Sequence, residues 1–317
     1  MGKSDVSDIK VTQEQRRSRV LANSDLPCLR DVATVNVTRG CAHACVYCYA
    51  QGYSTYPGDG RVVVYSNLPE KLQDELARKR KPVPKVYFSP SCDCFQPLDA
   101  VLDITYEVMQ LLLKRGVPLA FLTKGAIPER FLRLFSMKPH LVHAQIGITT
   151  LDGSIARAIE LNAVIPEERI RNMEQLTRLG VHTMARMDPL VPFLTDTDAS
   201  LSQLFKSISH AGVKSVVVNY LFLRSALSGK VLPVLRQVMG SVDDLRGLLS
   251  RGTDMAMYRD RSLIRVLPTE YRRVGYERIR QLAERCGLQV HICGCKNSDI
   301  TSERCLIAGP PPRTLFD

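Results

Sequence analysis

Short apolar runs alternate with amphipathic stretches along the chain from residue 35 to residue 223. The runs are rich in β-branched and aromatic residues, which is typical of buried strands, whereas the stretches place apolar residues three or four positions apart, as helices do. The runs predict strands at residues 35–37, 86–88, 119–122, 144–148, 181–187 and 215–223. The stretches predict helices at residues 67–81, 103–115, 128–135, 166–179 and 198–211.

Six strands that alternate with helices predict an α/β fold with a parallel sheet, curled into a partial (β/α)6 TIM-like barrel. In such barrels the chemistry lies at the C-terminal ends of the strands. The alternation of predicted strands and helices divides the chain into a polar, helix-compatible N-terminal segment (1–34), the partial barrel (35–225) and a C-terminal extension (226–317). The extension is predicted to be mainly helical, with helices at 232–239, 242–250 and 268–286 and a last short strand at 288–292.

Composition indicates the cellular location, the cysteine chemistry and the type of substrate to expect. The apolar runs are too short to cross a bilayer, and residues 1–19 lack the apolar segment of a signal peptide, so we expect a cytoplasmic protein. Ten cysteines in such a protein favour metal binding or redox chemistry over disulfides. The formal net charge of +11, from 43 basic and 32 acidic residues, is compatible with a nucleic-acid or phosphorylated substrate.

Three thiols that lie close together, Cys41, Cys45 and Cys48, need a chemical explanation. A disulfide would leave one of them unpaired, and a closed structural zinc site takes four ligands. Three thiolates can instead hold three irons of a 4Fe–4S cluster and leave the fourth iron to a ligand that is not protein. A zinc site stays the alternative. Cys28 stands apart in the sequence and is expected to be a buried or idle thiol.

The C-x3-C-x2-C spacing, with an aromatic residue before the third cysteine, resembles the motif of the radical S-adenosylmethionine (radical SAM) enzymes. In that family the open iron chelates S-adenosylmethionine, and one electron from the cluster cleaves it to a 5′-deoxyadenosyl radical. Residues 35 to about 225 are similar to the spore photoproduct lyase group, also described as DNA repair photolyase-like. This similarity rests on Arg39-Gly40, Cys48-Tyr49, Gln96-Pro97, Thr123-Lys124, Ile146 to Thr149, Glu160 and Pro166 to Arg169.

The resemblance implies roles for residues near the cysteines and at the strand ends. Cys92 aligns with the cysteine that returns a hydrogen atom to the product. Cys94, two residues later, is the alternative residue for this position. Tyr47 and Tyr49 would relay the radical, and Tyr47 could also pack on adenine. A reductant protein such as a flavodoxin or ferredoxin would supply the electron. S-adenosylmethionine would be contacted by Asp93 or its neighbours, Lys124, Thr149, Thr150 and Arg186.

A second group of cysteines, Cys293, Cys295 and Cys305, departs from the spore photoproduct lyase pattern. It predicts a second metal site, interpreted first as an auxiliary iron–sulfur cluster and alternatively as a structural zinc clip. A further ligand could come from Cys286, Cys94 or His291.

Three functions are compatible with these motifs. The favoured hypothesis is a radical SAM enzyme that abstracts hydrogen from a nucleoside, nucleotide or nucleic acid. The alternatives are a biosynthetic enzyme that uses the auxiliary cluster on a small metabolite, and a zinc- or cluster-bearing nucleic-acid-binding protein.

Overall fold

A parallel sheet organises the computed structural model, which describes residues 8–24, 26–256, 263–303, 306, 307 and 309. Its strands, with those of two small sheets, are β1 (Lys10–Glu14), β2 (Ala22–Asn23), β3 (Ala33–Val35), β4 (Thr38–Arg39), β5 (Arg61–Tyr65), β6 (Val86–Phe88), β7 (Leu119–Thr123), β8 (Val142–Gly147), β9 (His182–Leu190), β10 (Ser215–Tyr220), β11 (Thr253–Ala256), β12 (Leu263–Val266) and β13 (Gln289–Ile292). The large sheet has the order β13-β10-β9-β8-β7-β6-β3-β2. All its neighbours are parallel except β2 and β3.

Helices connect these strands in the order that the sequence predicts, with one additional helix at Gly153–Ile159. They are α1 (Leu68–Arg78), α2 (Asp99–Lys114), α3 (Glu129–Ser136), α4 (Gly153–Ile159), α5 (Pro166–Arg178), α6 (Asp198–His210), α7 (Ser225–Met239), α8 (Asp243–Ser250) and α9 (Thr269–Glu284). Strand β13 pairs with β10 and β2 lies at the opposite edge, so the barrel is open. The predicted partial TIM-like α/β barrel is confirmed. Within the described ranges no helix is long and apolar enough to cross a membrane.

The two faces of the sheet bury different apolar clusters. The main cluster joins one sheet face to the helices, through residues such as Val86, Phe88 and Phe121. The second cluster contains no residue of the α-helices and takes the alternate strand positions, because successive side chains of a strand point to opposite faces. It therefore fills the barrel interior. Its buried members are Leu29, Tyr87, Ala120, Met184, Val217, Cys293 and Ile307.

The N-terminal segment differs from its predicted helical character. Residues Lys10–Glu14 form the exposed strand β1, which pairs in parallel with β5, and β5 pairs with β4. The alternation of β-branched and polar residues in this stretch suits an edge strand, and the buried Val62 to Val64 of β5 supply its partner. The segment then enters the barrel, where Leu29 is fully buried.

The C-terminal extension contributes strand as well as helix. Its helices α7, α8 and α9 agree with the prediction of a mainly helical region, and β11 and β12 add a small antiparallel pair. The predicted last strand is β13, which pairs with β10 from Ser215↔Gln289 to Val218↔Ile292. This pairing brings Cys295, which follows β13, to the cavity at the barrel mouth.

Candidate active site

One cavity, partly open to solvent, lies where β6, β7 and β9 end. Polar side chains gather at this edge because parallel strands bring their C-terminal ends together. The residues that the sequence predicts as functional and that line this cavity are Cys41, Cys45, Tyr47, Cys48, Tyr49, Cys92, Asp93, Lys124, Arg186 and Cys295. Thr149, Thr150 and Cys293 are not among the lining residues, and Cys305 lies outside the described residues.

The cysteine loop enters the cavity through a tight turn at Gly40. This glycine has a φ of 79°, and a Cβ atom there would lie 2.3 Å from the carbonyl oxygen of Arg61. A side chain at this position would thus meet both a conformational penalty and a backbone clash. Gly40 therefore fixes the direction in which the loop leaves β4.

Side-chain amides on both sides fix the cysteine loop. Gln96 accepts a hydrogen bond from the backbone N–H of Ala42 at 2.6 Å and donates to Thr38 at 2.9 Å. From the other side, Asn162 donates to the carbonyl of Ala42 at 2.8 Å. The backbone N–H of Val46 donates to the carbonyl of Ile159, at the end of α4, at 2.9 Å. The loop is therefore held between two strand-end connections of the barrel.

The three thiols of this loop fit an iron–sulfur cluster. Cys41, Cys45 and Cys48 line one cavity, and burial raises the pKa of all three, that of Cys45 to about 12. Such thiols are protonated until a metal displaces the protons. Within the described part of the chain, no three His, Cys, Asp or Glu side chains form a single-ion site. Cluster thiolates bind separate irons, so they do not need to converge on one ion.

A buried charged network stands behind Tyr47. The Tyr47 hydroxyl donates a hydrogen bond to Glu160, which also forms an ion pair with Arg169. Burial alone would raise the pKa of Glu160. The nearby cations Arg169 and Lys124 together have the larger effect and lower this pKa below its usual range, so the carboxylate is charged. The Lys124 amino group lies 5.7 Å from the centre of the Tyr47 ring. Burial acts to lower the pKa of Lys124, and Glu160 raises it above its usual range, so a cation faces the cavity.

Asp93 uses its carboxylate to join two strand ends. It accepts hydrogen bonds from the Phe95 N–H and the Thr123 hydroxyl, both at 2.8 Å, and from the Lys124 N–H at 2.9 Å. His43 Nε2 lies 3.1 Å from its Oδ2 atom, an ion-pair distance without hydrogen-bond geometry. Burial acts to raise the pKa of Asp93, and His43 with these donors lowers it. Asp93 thus holds Lys124 at the cavity.

The structure separates Cys92 from Cys94. Cys92 lines the cavity, with its Sγ atom 3.7 Å from Asn36 Oδ1, whereas Cys94 is fully buried in the main core. Of the two, only Cys92 can face a molecule in the cavity. The Tyr49 hydroxyl donates to the carbonyl of Pro90, two residues before Cys92. Tyr49 is therefore tied to the loop that carries Cys92, and Tyr47 to Glu160.

Two residues that sequence reasoning did not assign to the site, Asp188 and Lys296, form a charged group with Arg186. Asp188 Oδ2 accepts from Lys296 Nζ at 2.5 Å and from Arg186 Nη2 at 2.9 Å, and Arg186 also donates to Gln145. Burial acts to raise the pKa of Asp188, but the two cations lower it to about 2. Lys296 Nζ lies 4.9 Å from the Phe222 ring centre. The signal that could have found Lys296 is its place beside Cys295.

The two predicted threonines lie at the end of β8, away from the cavity lining. Thr149 and Thr150 are both buried, and the Thr150 hydroxyl accepts from the N–H of Asp152.

The second cysteine group is divided: Cys295 lines the cavity, and Cys293 is 1% exposed in the barrel interior. Their Sγ atoms are 2.8 Å apart. A thiol not assigned to the site by sequence, Cys28, lines the same cavity.

Comparison with known proteins finds a matching family model and similar relatives. Residues 35–208 match the model of the Radical SAM superfamily. An uncharacterized protein of Mycobacterium tuberculosis is 30% identical over 77% of this chain and 76% of its own. A Radical SAM Nalpha-GlyT isomerase of Pseudomonas phage M6 is 25% identical over 61% of this chain and 40% of its own.

Among solved structures, a spore photoproduct lyase variant with bound AdoMet and dinucleoside spore photoproduct is similar in fold. It has a TM-score of 0.66 and 14% identity, over 88% of this chain and 81% of that one. The spore photoproduct lyase complexed with dinucleoside spore photoproduct has the same TM-score, with 13% identity over 92% of this chain and 86% of that one. The matched model covers the cysteine loop and most of the barrel. The chain therefore belongs to the Radical SAM superfamily and is a radical SAM enzyme, a family that uses a 4Fe–4S cluster and S-adenosylmethionine.

Proposed function

We propose that this enzyme abstracts a hydrogen atom from a nucleoside, a nucleotide or a nucleic acid. The observation that carries the proposal is the joint presence of the motif cysteines, Cys92 and Lys296 around one cavity. Cys92 offers a hydrogen-atom donor, and Lys296 offers a cation for a phosphate. The net charge of +11 and the fold shared with a lyase that binds a dinucleoside photoproduct support the same substrate class.

Cys41, Cys45 and Cys48 are the proposed ligands of the 4Fe–4S cluster. When bound, that cluster would supply the electron that cleaves S-adenosylmethionine to a 5′-deoxyadenosyl radical. A flavodoxin or ferredoxin is the proposed source of that electron. The protein's task is to orient the reactants and to exclude water from them.

Lys124 and Arg186 are the proposed partners of the S-adenosylmethionine carboxylate, since both are cations at the cavity. Lys124 is the better placed, because Arg186 already donates to Asp188 and Gln145. Asp93 would act by holding the Lys124 backbone, and Tyr47 by packing on adenine. Contacts from Thr149 and Thr150 to the ribose would require this strand end to move, because neither lines the cavity.

Cys92 is the proposed hydrogen donor to the product radical. A thiol suits this role because its S–H bond is weaker than the C–H bond that it restores. Tyr49 is the proposed first member of the radical relay, because its hydroxyl is bonded to the loop that carries Cys92. Tyr47 would follow, and its hydrogen bond to Glu160 provides an acceptor for the phenolic proton.

A second iron–sulfur cluster, held by Cys293, Cys295 and Cys305, completes the proposal. What supports it is the position of Cys295 at the cavity and of Cys293 beside it. Soft thiols suit iron–sulfur clusters, and they also suit zinc, which stays the alternative occupant. A redox centre on this side of the cavity could exchange an electron with a substrate-derived radical.

The test uses protein purified without oxygen, loaded with iron and sulfide, and given dithionite with S-adenosylmethionine. We expect 5′-deoxyadenosine, and iron-loaded protein that forms none would contradict the function. Candidate substrates are nucleosides, single-stranded and duplex DNA, irradiated DNA and RNA. In D2O the Cys92 thiol exchanges its hydrogen, so the product should gain deuterium in wild type and in Cys94→Ala, but not in Cys92→Ala. Salt-sensitive binding of DNA or RNA would support a nucleic-acid substrate over a small metabolite.

A further inference from the structure

Cys28, in the N-terminal segment, shares its surroundings with Cys293 and Cys295 of the C-terminal extension. It belongs to the single turn Pro27–Leu29 and lines the cavity together with Cys295. Both thiols also pack against the apolar cluster of the barrel interior, which contains Cys293. Cysteines from opposite ends of the chain are therefore brought to one place by the fold.

The other residues that sequence reasoning offers as a further ligand lie elsewhere. Cys94 is buried in the main core, and Cys286 packs against that core after α9. His291 Nδ1 lies 2.8 Å from Glu303 Oε1. None of the three lines the cavity, and Cys94 and Cys286 also lie outside the apolar cluster that contains Cys293. Among the described cysteines outside the motif loop and the Cys92 loop, Cys28 and Cys295 are the ones that do.

The backbone around Cys28 is held in place, so the thiol is preorganised. Leu29 is fully buried in the barrel interior, and its N–H donates to the carbonyl of Leu26 at 2.9 Å. The N–H of Val32 donates to the carbonyl of Leu29 at 3.1 Å, and the next residues form β3 of the large sheet. A ligand on such an anchored turn loses little conformational entropy when it binds a metal.

We propose that Cys28 is a ligand of the second iron–sulfur cluster, beside Cys293 and Cys295. This inference rests on the second cluster of the proposed function and adds a ligand that the sequence alone does not indicate. The donors are thiols that pack against apolar side chains, such as Ile307 and Leu29, and these side chains limit the access of water from the barrel interior. Thiolates of a cluster bind different irons, so the three do not have to meet at one ion.

A fourth thiolate changes what the second cluster can do. Together with Cys305, which only the sequence assigns, Cys28 would raise the number of cysteine ligands to four. A 4Fe–4S cluster with four cysteine ligands has no open iron for a substrate. Its role would then be to exchange electrons with a molecule in the cavity. The N-terminal segment would in turn be fixed to the extension through the cluster.

The test separates the two clusters by mutation. In Cys41→Ala/Cys45→Ala/Cys48→Ala protein, anaerobic loading should leave about four irons, with the electron paramagnetic resonance signal of a reduced 4Fe–4S cluster. Adding Cys28→Ala should lower the iron by half or more, or convert the signal to that of a smaller cluster. Adding Cys28→Ser should keep iron but shift the signal. Adding Cys286→Ala, the matched control outside the cavity, should change neither quantity.

The outcomes distinguish this inference from the proposed function. A triple variant that binds no iron, or binds zinc, contradicts the second cluster and with it the Cys28 assignment, whereas the proposed hydrogen abstraction is tested separately by 5′-deoxyadenosine formation. A triple variant with about four irons, whose iron, sulfide and signal are unchanged by both Cys28 substitutions, contradicts only the Cys28 assignment. Circular dichroism of each variant identifies loss of fold, and the Cys28→Ser signal is the deciding measurement where Cys28→Ala is unfolded.

Discussion

The two sides of the cavity carry thiols in opposite surroundings. The cysteine-loop wall, formed by Cys41, Cys45 and Cys48, is backed by the buried Glu160–Arg169 pair and by Lys124. The C-terminal wall, formed by Cys28, Cys295 and Lys296 with the buried Cys293 beside Cys295, has its thiols among apolar side chains of the barrel interior. Its charges, Lys296 and Asp188, are paired with each other.

This difference indicates a division of labour between the walls. A wall backed by hydrogen-bonded charges can bind and orient a zwitterion such as the methionyl group of S-adenosylmethionine. Thiols in an apolar setting are suited to a cluster whose potential is set by exclusion of water. On this view the cysteine-loop wall generates the radical. The C-terminal wall binds the substrate and exchanges an electron with the radical that forms on it.

The largest expected effect comes from breaking the cysteine-loop wall alone. Cys45→Ala should lower 5′-deoxyadenosine formation by more than the roughly 100-fold that loss of an outer-shell partner of a metal costs. Cys295→Ala should retain S-adenosylmethionine cleavage, because its thiol belongs to the other wall. The measurement is 5′-deoxyadenosine released per cluster under dithionite. Equal losses in the two variants would contradict the division of labour.

The next effect concerns the charged network behind the same wall. Glu160→Ala leaves Arg169, whose side chain is 2% exposed, without its carboxylate. Loss of one partner of a buried ion pair costs roughly 3–5 kcal/mol, so we expect the free energy of unfolding of cluster-free protein to fall by that amount. The control Glu174→Ala breaks an exposed pair with Arg178 and should cost at most about 1 kcal/mol. Urea denaturation measures the free energy of unfolding of both variants. Equal losses in the two variants would contradict a buried ion pair behind this wall.

A smaller effect is expected from the charges of the C-terminal wall, and it depends on pH. The folded-state pKa of Asp188 is lowered to about 2, so its ionisation contributes about 2 kcal/mol of stability above its ordinary pKa. That contribution is lost as the pH falls from about 4 to about 2. Asp188→Asn should therefore be less stable than wild type at pH 7, and the difference should shrink across this window. A difference that stays constant from pH 7 to pH 2 would contradict the ion-pair explanation.

The cysteine-loop wall was largely predictable from the sequence, and the C-terminal wall was not. The loop cysteines are close in sequence, and the alternation of β and α elements places Cys92, Asp93 and Lys124 after neighbouring strands. Local spacing was enough, because consecutive parallel strands bring their ends to one edge. The same reasoning predicted the partial barrel, whereas the radical SAM assignment came from the resemblance of the C-x3-C-x2-C motif to that family.

The C-terminal wall depends on contacts between distant parts of the chain. Lys296 meets Asp188 only because β13 pairs with β10, after three intervening helices. Cys28 reaches the cavity because Leu29, beside it, is buried in the barrel interior. No local pattern encodes either approach. The polar residues of β1 were likewise assigned helical character, because the strand that they pair with, β5, was not recognised.

The smallest expected effect tests whether the C-terminal wall binds phosphate. Lys296→Met removes the cation but keeps an unbranched side chain against Phe222. If Lys296 contacts one phosphate of single-stranded DNA, the slope of log affinity against log salt should become shallower by about 0.7, and affinity should fall several-fold at low salt. The loss should be modest, since Lys296 must also give up part of its contact with Asp188.

The matched control for this measurement is Lys230→Met. Lys230 pairs with the exposed Asp59 and does not line the cavity. The Lys230→Met substitution therefore removes the same formal charge from another surface. Fluorescence anisotropy of a labelled oligonucleotide across a salt series measures both slopes. A slope that changes for Lys296→Met and not for Lys230→Met assigns the phosphate contact to the C-terminal wall. Equal changes would mean that the net charge of the protein, rather than this wall, attracts the nucleic acid.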